Sequence, residues 1–149
     1  MATPAQQVEL PIEIGRQKHL ELIHAVISRM AQNSFIVRGW SIALVTAVLA
    51  VASKELNAGI GVLAAIPVLS FWYLDAFYLR QERLFRQLYS TVIERASSIP
   101  QFSMDTKPFE ENVEWKSVLF SPTIAVLHGA LFLIVLAIST AALVFAAIR

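Results

Sequence analysis

The stretch SPTIAVLHGALFLIVLAISTAALVFAAI, residues 121–148, contains no charged side chain and decides the fold class. Its first two residues, Ser121-Pro122, are a typical helix start, a capping residue followed by proline at the first helical position. A helix from Thr123 to Ile148 would be about 39 Å long at about 1.5 Å per residue, whereas the hydrocarbon core of a bilayer is about 30 Å thick. The stretch therefore predicts a membrane-spanning helix.

A second apolar stretch, GWSIALVTAVLAVAS at residues 39–53, is shorter than a full span. A span needs about 20 residues, so the membrane segment must begin near residue 33 and include Arg38. The apolar stem of this arginine can lie in the membrane while its charged head reaches the interface. Asn33 or Ser34 is predicted to cap the N-terminus of this helix.

A third apolar segment lies between these two, from about Ala58 to Leu79. The polar residues 54–57 before it predict a turn, so the two segments form a membrane hairpin. Pro67 removes one backbone hydrogen bond in its middle and predicts a kink. We expect the helix to continue without a break into the cytoplasm to about Ala96. The residues that follow, 97–116, predict a loop or a loosely ordered acidic segment.

Composition agrees with a membrane protein. The 149 residues are 56% hydrophobic and 15% charged, whereas soluble domains are about 45–50% apolar and about 25% charged. The absence of cysteine excludes disulfides, thiolate metal sites and cysteine nucleophiles. Pro4, Pro11 and Gly15 predict an irregular start over residues 1–15, and the spacing of apolar residues predicts an amphipathic helix over residues 16–32.

The basic residues define an orientation. Ten of the twelve Lys and Arg residues fall on one side of the three segments, and such residues are retained in the cytoplasm. The N-terminus and residues 80–120 are therefore predicted to be cytoplasmic and the C-terminus to lie outside. The chain divides into a cytoplasmic segment with an amphipathic helix (1–32), a transmembrane hairpin (33–79), a cytoplasmic helix and acidic loop (80–120) and a third transmembrane helix (121–149).

The hairpin contains one cation and one anion at matching depth. Folding the chain back at residues 55–57 places Arg38 level with residues 73–75, and Asp75 is the one acidic residue of the three segments. Because an unpaired charge within a membrane is costly, the sequence predicts that Arg38 pairs with Asp75. We favour a salt bridge that fixes the register of the hairpin, with an ion or proton site as the alternative.

His128 adds a third polar group in the cytoplasmic third of the last segment. It could face Asp75, Ser70 or Tyr73. A hydrogen bond between helices is the favoured interpretation, and a proton relay or a sensor of acidity is the alternative. We predict that Arg38, Asp75 and His128 form an intramembrane polar cluster.

Arg80, Arg83 and Arg86 follow the hairpin directly and are candidate contacts for anionic lipid or a partner. The same three residues also satisfy the orientation rule without any ligand, which is the favoured interpretation. Nucleic acid is not expected as a partner. The sequence has no Gly-rich phosphate loop, nucleophile elbow or HExxH motif, and His19 and His24 lack the i, i+4 spacing of metal ligands. We expect no catalytic residue, no metal and no cofactor.

The stretches SRMAQNSF (28–35), Gly39-Trp40 and FWYLDAFYLRQERLFR (71–86) resemble a group of small uncharacterised bacterial membrane proteins with a helix, membrane hairpin and helix. That layout is similar to the two-transmembrane effectors of bacterial conflict and anti-phage systems, including the SLATT class. The resemblance covers roughly residues 16–96. It implies an effector or accessory subunit that oligomerises and perturbs the bilayer when a cytoplasmic partner signals.

Taken together, the sequence predicts an all-α integral membrane protein with three transmembrane helices and a cytoplasmic helical layer. The predicted function is that of a non-enzymatic, oligomeric inner-membrane protein, a membrane-perturbing effector or pore-forming subunit of a bacterial defence system. One alternative is a membrane anchor or scaffold that recruits a cytoplasmic protein or signal partner through the basic helix after the hairpin. A second is a small channel or transporter subunit.

Overall fold

The computed structural model describes residues 4–52, 58–94 and 99–148, and these residues confirm the all-α class. None of them lies in a β-strand. The α-helices are, in chain order, α1 (Pro4–Ala52), α2 (Ala58–Ile93), α3 (Trp115–Leu119) and α4 (Pro122–Ile148). A 3₁₀ helix, Lys107–Asn112, precedes α3.

α1 is one helix of 49 residues, about 74 Å long at about 1.5 Å per residue. The predicted irregular start is therefore wrong from Pro4 onward. Pro4 lies in the first turn, where its missing N–H has no intrahelical partner to lose. Pro11 does lose one hydrogen bond, at a cost of about 3 kcal/mol, which the rest of this long helix outweighs. Gly15 remains helical and gives room to a neighbouring segment, because a Cβ there would collide with the side chain of Gln101.

The predicted N-cap at Asn33 or Ser34 is also wrong, because α1 passes through both residues without a break. Ser34 is buried and its hydroxyl donates a hydrogen bond to the carboxylate of Asp75 on α2. A carboxylate is a strong acceptor, so this contact between helices replaces the local capping bond. The predicted amphipathic helix and first membrane segment are consequently one continuous rod.

α2 runs through Pro67 as predicted and extends well beyond the predicted membrane boundary at Leu79. It ends at Ile93, three residues before the predicted end at Ala96. The predicted polar turn at residues 54–57, and the basic residues Lys54, Arg95 and Arg149 of the charge count, lie outside the described residues.

Buried apolar side chains join the helices in three clusters. The first connects α1, α2 and α4: Val45, Ala64, Val68, Leu131 and Val135. The second connects α2 with the segment before α4 and with α4 itself: Ala76, Leu84, Val113, Val118 and Ile124. The third holds together the N-terminal half of α1 and the C-terminal end of α2: Ile23, Ile27, Leu88 and Val92. α2 is therefore the central helix, since it contributes to all three clusters.

Residues 99–121, which we name the strap, return along the hairpin from the end of α2 to the start of α4. The predicted loop over residues 97–116 is confirmed for residues 99–106, which form neither helix nor strand, whereas Lys107–Asn112 is a 3₁₀ helix and α3 begins at Trp115. The described part of this range is not loosely attached. Val113 and Val118 are buried, and Phe109 packs on two of the clusters, so these apolar residues attach the strap to α2. Its glutamates remain exposed on the outer side.

Two helices are long and apolar enough to cross a membrane: Ile12–Ala52 within α1, and α4. Their most apolar stretches have mean hydropathy 2.0 and 2.8, yet only 22% and 17% of those stretches is buried within the protein. Among the described residues α2 does not meet the same test, so its membrane span stays a prediction. α4 begins at Pro122, which confirms the helix start predicted at Ser121-Pro122.

Candidate functional site

Asp75 lies where α1, α2 and α4 meet, and its side chain is completely buried. The Nε of Arg38 donates to Oδ2 at 2.8 Å, and the hydroxyl of Ser34 donates to Oδ1. The Nε2 of His128 lies 3.1 Å from Oδ2. The carboxylate therefore receives hydrogen bonds from α1 and α4, and we call Ser34, Arg38, Asp75 and His128 the polar centre.

The spacing of residues along each helix explains this meeting. Ser34 and Arg38 are four residues apart, so they lie one turn apart on the same face of α1. The antiparallel hairpin brings that face to Asp75, as the sequence predicted for Arg38. His128 lies under two turns into α4, which packs mainly on α2. The one side chain that the sequence analysis did not foresee is Ser34, whose i, i+4 spacing from Arg38 was the available signal.

His128 is fully buried, and of its three predicted partners it contacts Asp75. The other two are engaged elsewhere: Ser70 donates to the carbonyl of Ile66, and Tyr73 stacks on Trp115. The ring of Trp72 lies against His128 with centroids 6.2 Å apart and planes 17° apart. Because Asp75 supplies only acceptor oxygens when ionised, the proton of the neutral imidazole belongs on Nε2.

Two buried polar atoms next to these contacts have no hydrogen-bond partner among the described residues: the Nδ1 of His128 and the Oγ of Ser41. Ser41 follows Arg38 by one turn of α1 and is almost completely buried. An unsatisfied buried polar group costs about 1–3 kcal/mol. The Nδ1 of His128 and the Oγ of Ser41 could therefore each make a hydrogen bond that the described residues do not provide.

The charges of the polar centre balance when His128 is neutral. The Arg38 side chain is 29% exposed, so its stem is buried and part of its guanidinium reaches outward. The Asp75 carboxylate is shielded completely. The carboxylate of Asp75, the guanidinium of Arg38 and the imidazole of His128 make an electrostatic clamp across three helices.

Aromatic residues surround the hairpin at the level of the polar centre. Trp72 donates through Nε1 to the carbonyl of Leu119 at 3.0 Å, and Tyr73 stacks on Trp115 with ring centroids 5.5 Å apart. Phe120 and Trp40 are largely exposed. Trp and Tyr concentrate at membrane interfaces, so this level has the composition of a bilayer boundary.

The three arginines after the hairpin have different surroundings. Arg80 is buried: its Nε donates to the carbonyl of Val113 at 3.0 Å, and its guanidinium lies 5.0 Å from the ring centre of Trp115. It joins α2 to the strap and is not available to lipid or a partner. Arg86 is exposed and pairs with Glu82 at 2.7 Å. Arg83 is half-buried and has no ion pair with any described residue, so Arg83 and Arg86 remain candidate contacts.

Two shallow grooves of about 400 and 450 Å³ adjoin where the N-terminal half of α1 packs on the C-terminal part of α2. Both are lined by His24 and Tyr89, whose rings are 6.4 Å apart, and the larger also by Arg86 and Ser28. The other histidine of α1, His19, is buried, with Nε2 2.8 Å from the carbonyl of Ser103 in the strap.

Within the part of the chain whose side chains are described, no three His, Cys, Asp or Glu residues group closely enough to hold a metal ion. No known protein family, no characterised protein and no solved structure matches the chain. The function must therefore be inferred from the polar centre, the exposed apolar helices and the grooves beside His24 and Tyr89.

Proposed function

We propose that the chain is a multi-pass inner-membrane protein with three membrane helices, a cytoplasmic N-terminus and the C-terminus outside. The observation that carries this proposal is the exposure of apolar residues on α1 and α4, whose most apolar stretches are 22% and 17% buried. In water, so large an apolar surface would be unstable without a cover. A bilayer covers it directly.

The aromatic residues at the level of the polar centre and the distribution of basic residues support the same placement. From Arg38, α1 continues 14 residues to Ala52, about 21 Å at about 1.5 Å per residue. The polar centre then lies near one edge of the hydrocarbon, where Arg38 can reach the head groups. Ten of twelve basic residues belong to the same side, which supports a cytoplasmic location for that edge.

Within this placement the protein acts as a non-enzymatic oligomer, either as a membrane-perturbing effector or as a pore-forming subunit. The helix, hairpin and helix layout supports an effector of the bacterial defence type, and so does the resemblance of residues 16–96. Within one subunit the buried carboxylate of Asp75 is already bonded to Ser34, Arg38 and His128, so it does not offer a free charged site to a passing ion. A conducting path would therefore have to run between subunits, which requires several copies.

Expression in bacterial cells with a potential-sensitive dye tests the effector function. We expect expression of the wild-type chain to depolarise the membrane, and Asp75→Asn to weaken the effect because the helices lose their clamp. Arg29→Ala is the matched control, because Arg29 is exposed and pairs with no charged side chain in the part of the chain that the structure describes. An intact potential at high levels of inserted wild-type protein, together with a monomer in detergent, would contradict the proposal.

Single cysteines test the topology without interference, because the chain has no native cysteine. Ser28→Cys and Ile148→Cys introduce thiols at exposed positions on opposite sides of the proposed membrane. A membrane-impermeant maleimide added to spheroplasts should label Ile148→Cys and spare Ser28→Cys until the cells are lysed. The reverse labelling pattern would invert the proposed orientation.

The grooves beside His24 and Tyr89 favour a second candidate function, a membrane anchor that recruits a cytoplasmic partner. Arg86 lines this surface and Arg83 does not line either groove. Affinity capture should therefore lose such a partner with Arg86→Glu and retain it with Arg83→Glu. Equal loss or equal retention would remove the support that the groove gives to this alternative.

A further inference from the structure

The hydroxyl of Ser41 differs from other hydroxyls of the long apolar helices. A carbonyl one turn earlier in the same helix accepts a hydrogen bond, at 2.7–2.9 Å, from Thr46, Ser70 and Ser139. A helical serine can generally make this bond, but the Oγ of Ser41 has no partner among the described residues, although Ser41 is only 1% exposed. The hydroxyl of Ser41 is therefore directed at something other than the backbone of α1.

Ser41 faces α2 and the centre of the three-helix packing. Its neighbours one turn away on the same face of α1 are Arg38 and Val45. Arg38 bonds to Asp75, and Val45 belongs to the same buried cluster as Val68. Because Ser41 lies between these two contacts, it lies at the level of α2 residues 68–75, next to the polar centre.

His128 reaches the same level from α4. Its neighbours one turn away on the same face of α4 are Ile124 and Leu131. Ile124 belongs to the same cluster as Ala76, and Leu131 to the same cluster as Val68. The Nδ1 of His128, like the hydroxyl on α1, has no partner among the described residues. The two unpartnered atoms therefore share one layer, between the polar centre and the first apolar cluster.

We propose that this layer binds one water molecule, which accepts a hydrogen bond from the hydroxyl of Ser41 and donates one to the Nδ1 of His128. The two atoms are complementary to water, because a hydroxyl can donate, whereas the Nδ1 of a neutral imidazole with its proton on Nε2 can only accept. Buried waters occupy polar sites of this kind and make about 2–4 hydrogen bonds. The inference goes beyond the proposed function, because it depends only on how α1, α2 and α4 pack.

The size and the charge of the layer favour water over other small ligands. Contacts between helices flank the layer on both sides, at the polar centre and at the first apolar cluster, so the helices stay close together across it. A cation would need a free anion, but the carboxylate of Asp75 already accepts from Ser34, Arg38 and His128. Water is small and neutral, and ordered water also satisfies polar groups inside packed membrane helices.

A water in this layer gives Ser41 a positioning role in the polar centre. The tautomer of a histidine is set by the hydrogen bond that its second nitrogen makes. By donating to Nδ1, the water keeps the imidazole proton of His128 on Nε2, which lies 3.1 Å from Oδ2 of Asp75. Ser41 therefore acts on the contact between His128 and Asp75 through the water.

Magnetic resonance of the protein in micelles, isotope-labelled at its histidine rings, tests for the bound water directly. The ring signal that His128→Gln removes identifies His128, and a soluble gadolinium chelate suppresses rings that are open to bulk water, such as the exposed His24. We expect magnetisation transfer from water protons to the His128 ring in the wild type, and several-fold weaker transfer in Ser41→Ala. No transfer in the wild type would overturn the inference, whatever the variants show.

The same spectra separate the positioning role of Ser41 from a merely structural one. In the wild type, the Nδ1 signal of His128 should be that of an unprotonated nitrogen that accepts a hydrogen bond. Ser41→Ala should move this signal toward that of a nitrogen without a hydrogen bond. Ser139→Ala is the matched control, because it removes a hydroxyl bonded to its own helix, and it should leave the signal unchanged. An unchanged Nδ1 signal in Ser41→Ala would refute the role of Ser41.

The stability of Ser41→Ala gives an independent test, because its sign depends on the water. If the hydroxyl had no partner at all, its removal would relieve an unsatisfied buried group and stabilise the protein. If the hydroxyl holds the water, Ser41→Ala should raise the unfolding equilibrium constant in a dodecyl sulfate titration about fivefold, whereas Ser139→Ala should change it less than about twofold. A variant Ser41→Ala as stable as the wild type, or more stable, would contradict the inference. Neither depolarisation nor oligomeric state enters these measurements, so a failure of the proposed function would be seen separately.

Discussion

Removing the charge of Asp75 should destabilise the packing of α1, α2 and α4 more than removing any surface charge. Asp75→Asn nearly preserves the shape of the side chain, so it creates no cavity. It takes away the anion that receives hydrogen bonds from Ser34, Arg38 and His128. The amide of the asparagine can still accept hydrogen bonds from some of these donors, but it no longer balances the charge of the Arg38 guanidinium.

The expected loss of stability follows from the burial of the Asp75 side chain. Breaking a buried ion pair by removing one partner costs about 3–5 kcal/mol. The side chain of Arg38 is 29% exposed, so its guanidinium regains some hydration once Asp75 is neutral. This exposure places the expected loss for Asp75→Asn at the lower end, about 3 kcal/mol.

A double-mutant cycle measures the contact itself. Arg38→Met keeps the apolar stem and removes the charge, and we expect a coupling free energy with Asp75→Asn of about 2 kcal/mol. Unfolding can be followed by titrating dodecyl sulfate into mixed micelles, with the fluorescence of Trp72 as the signal because its ring lies beside the polar centre.

The exposed pair Lys18 and Glu21 supplies the matched control, because its charges are also joined, at 2.7 Å, but its side chains are 66% and 65% exposed. Its coupling should be several times smaller than that of the buried pair. If the coupling of Arg38 with Asp75 were equally small, the polar centre would not be the clamp that holds the helices in register.

Two further predictions concern the same contacts. The charge swap Arg38→Asp with Asp75→Arg should not restore stability in the micelle titration. The reason is that an arginine at position 75 would face His128, which is itself a donor. Full recovery of stability would show that His128 contributes little. Arg80→Ala should raise amide hydrogen exchange in the strap about 30-fold, the equivalent of about 2 kcal/mol for its lost contacts, while Arg83→Ala should leave exchange unchanged; equal effects would mean that Arg80 does not hold the strap.

Prediction from sequence succeeded where the structure is decided by interactions between residues that are close in the sequence. The uncharged stretch and the pair Ser121-Pro122 placed the start of α4, because capping and proline geometry act within one turn. The pairing of Arg38 with Asp75 followed from counting residues around an antiparallel turn. Sequence reasoning failed where distant residues decide the outcome, as for the helical conformation around Pro11 and Gly15.

The strap shows the same limit. Its prolines and glutamates predict a loose loop, since they disfavour regular helix locally. In the folded chain Val113 and Val118 are buried against α2 and α4, and Arg80 bonds to the backbone of the strap. No spacing rule connects Arg80 with a carbonyl 33 residues away. The sequence therefore grouped it with Arg83 and Arg86, which have different surroundings.

The sequence by itself determined the all-α class, the apolar segments, the direction of the basic bias and the contact of Arg38 with Asp75. Composition, periodicity and residue counting, on which these features depend, follow from the order of residues alone. Only the tertiary structure decided that α1 is continuous, that Ser34 joins the shell of Asp75, that Asp75 is the one of three candidate partners that His128 contacts, and that Arg80 holds the strap. Those outcomes depend on which faces of separate helices pack together, because side chains that are far apart in sequence can contact each other only once the helices are packed.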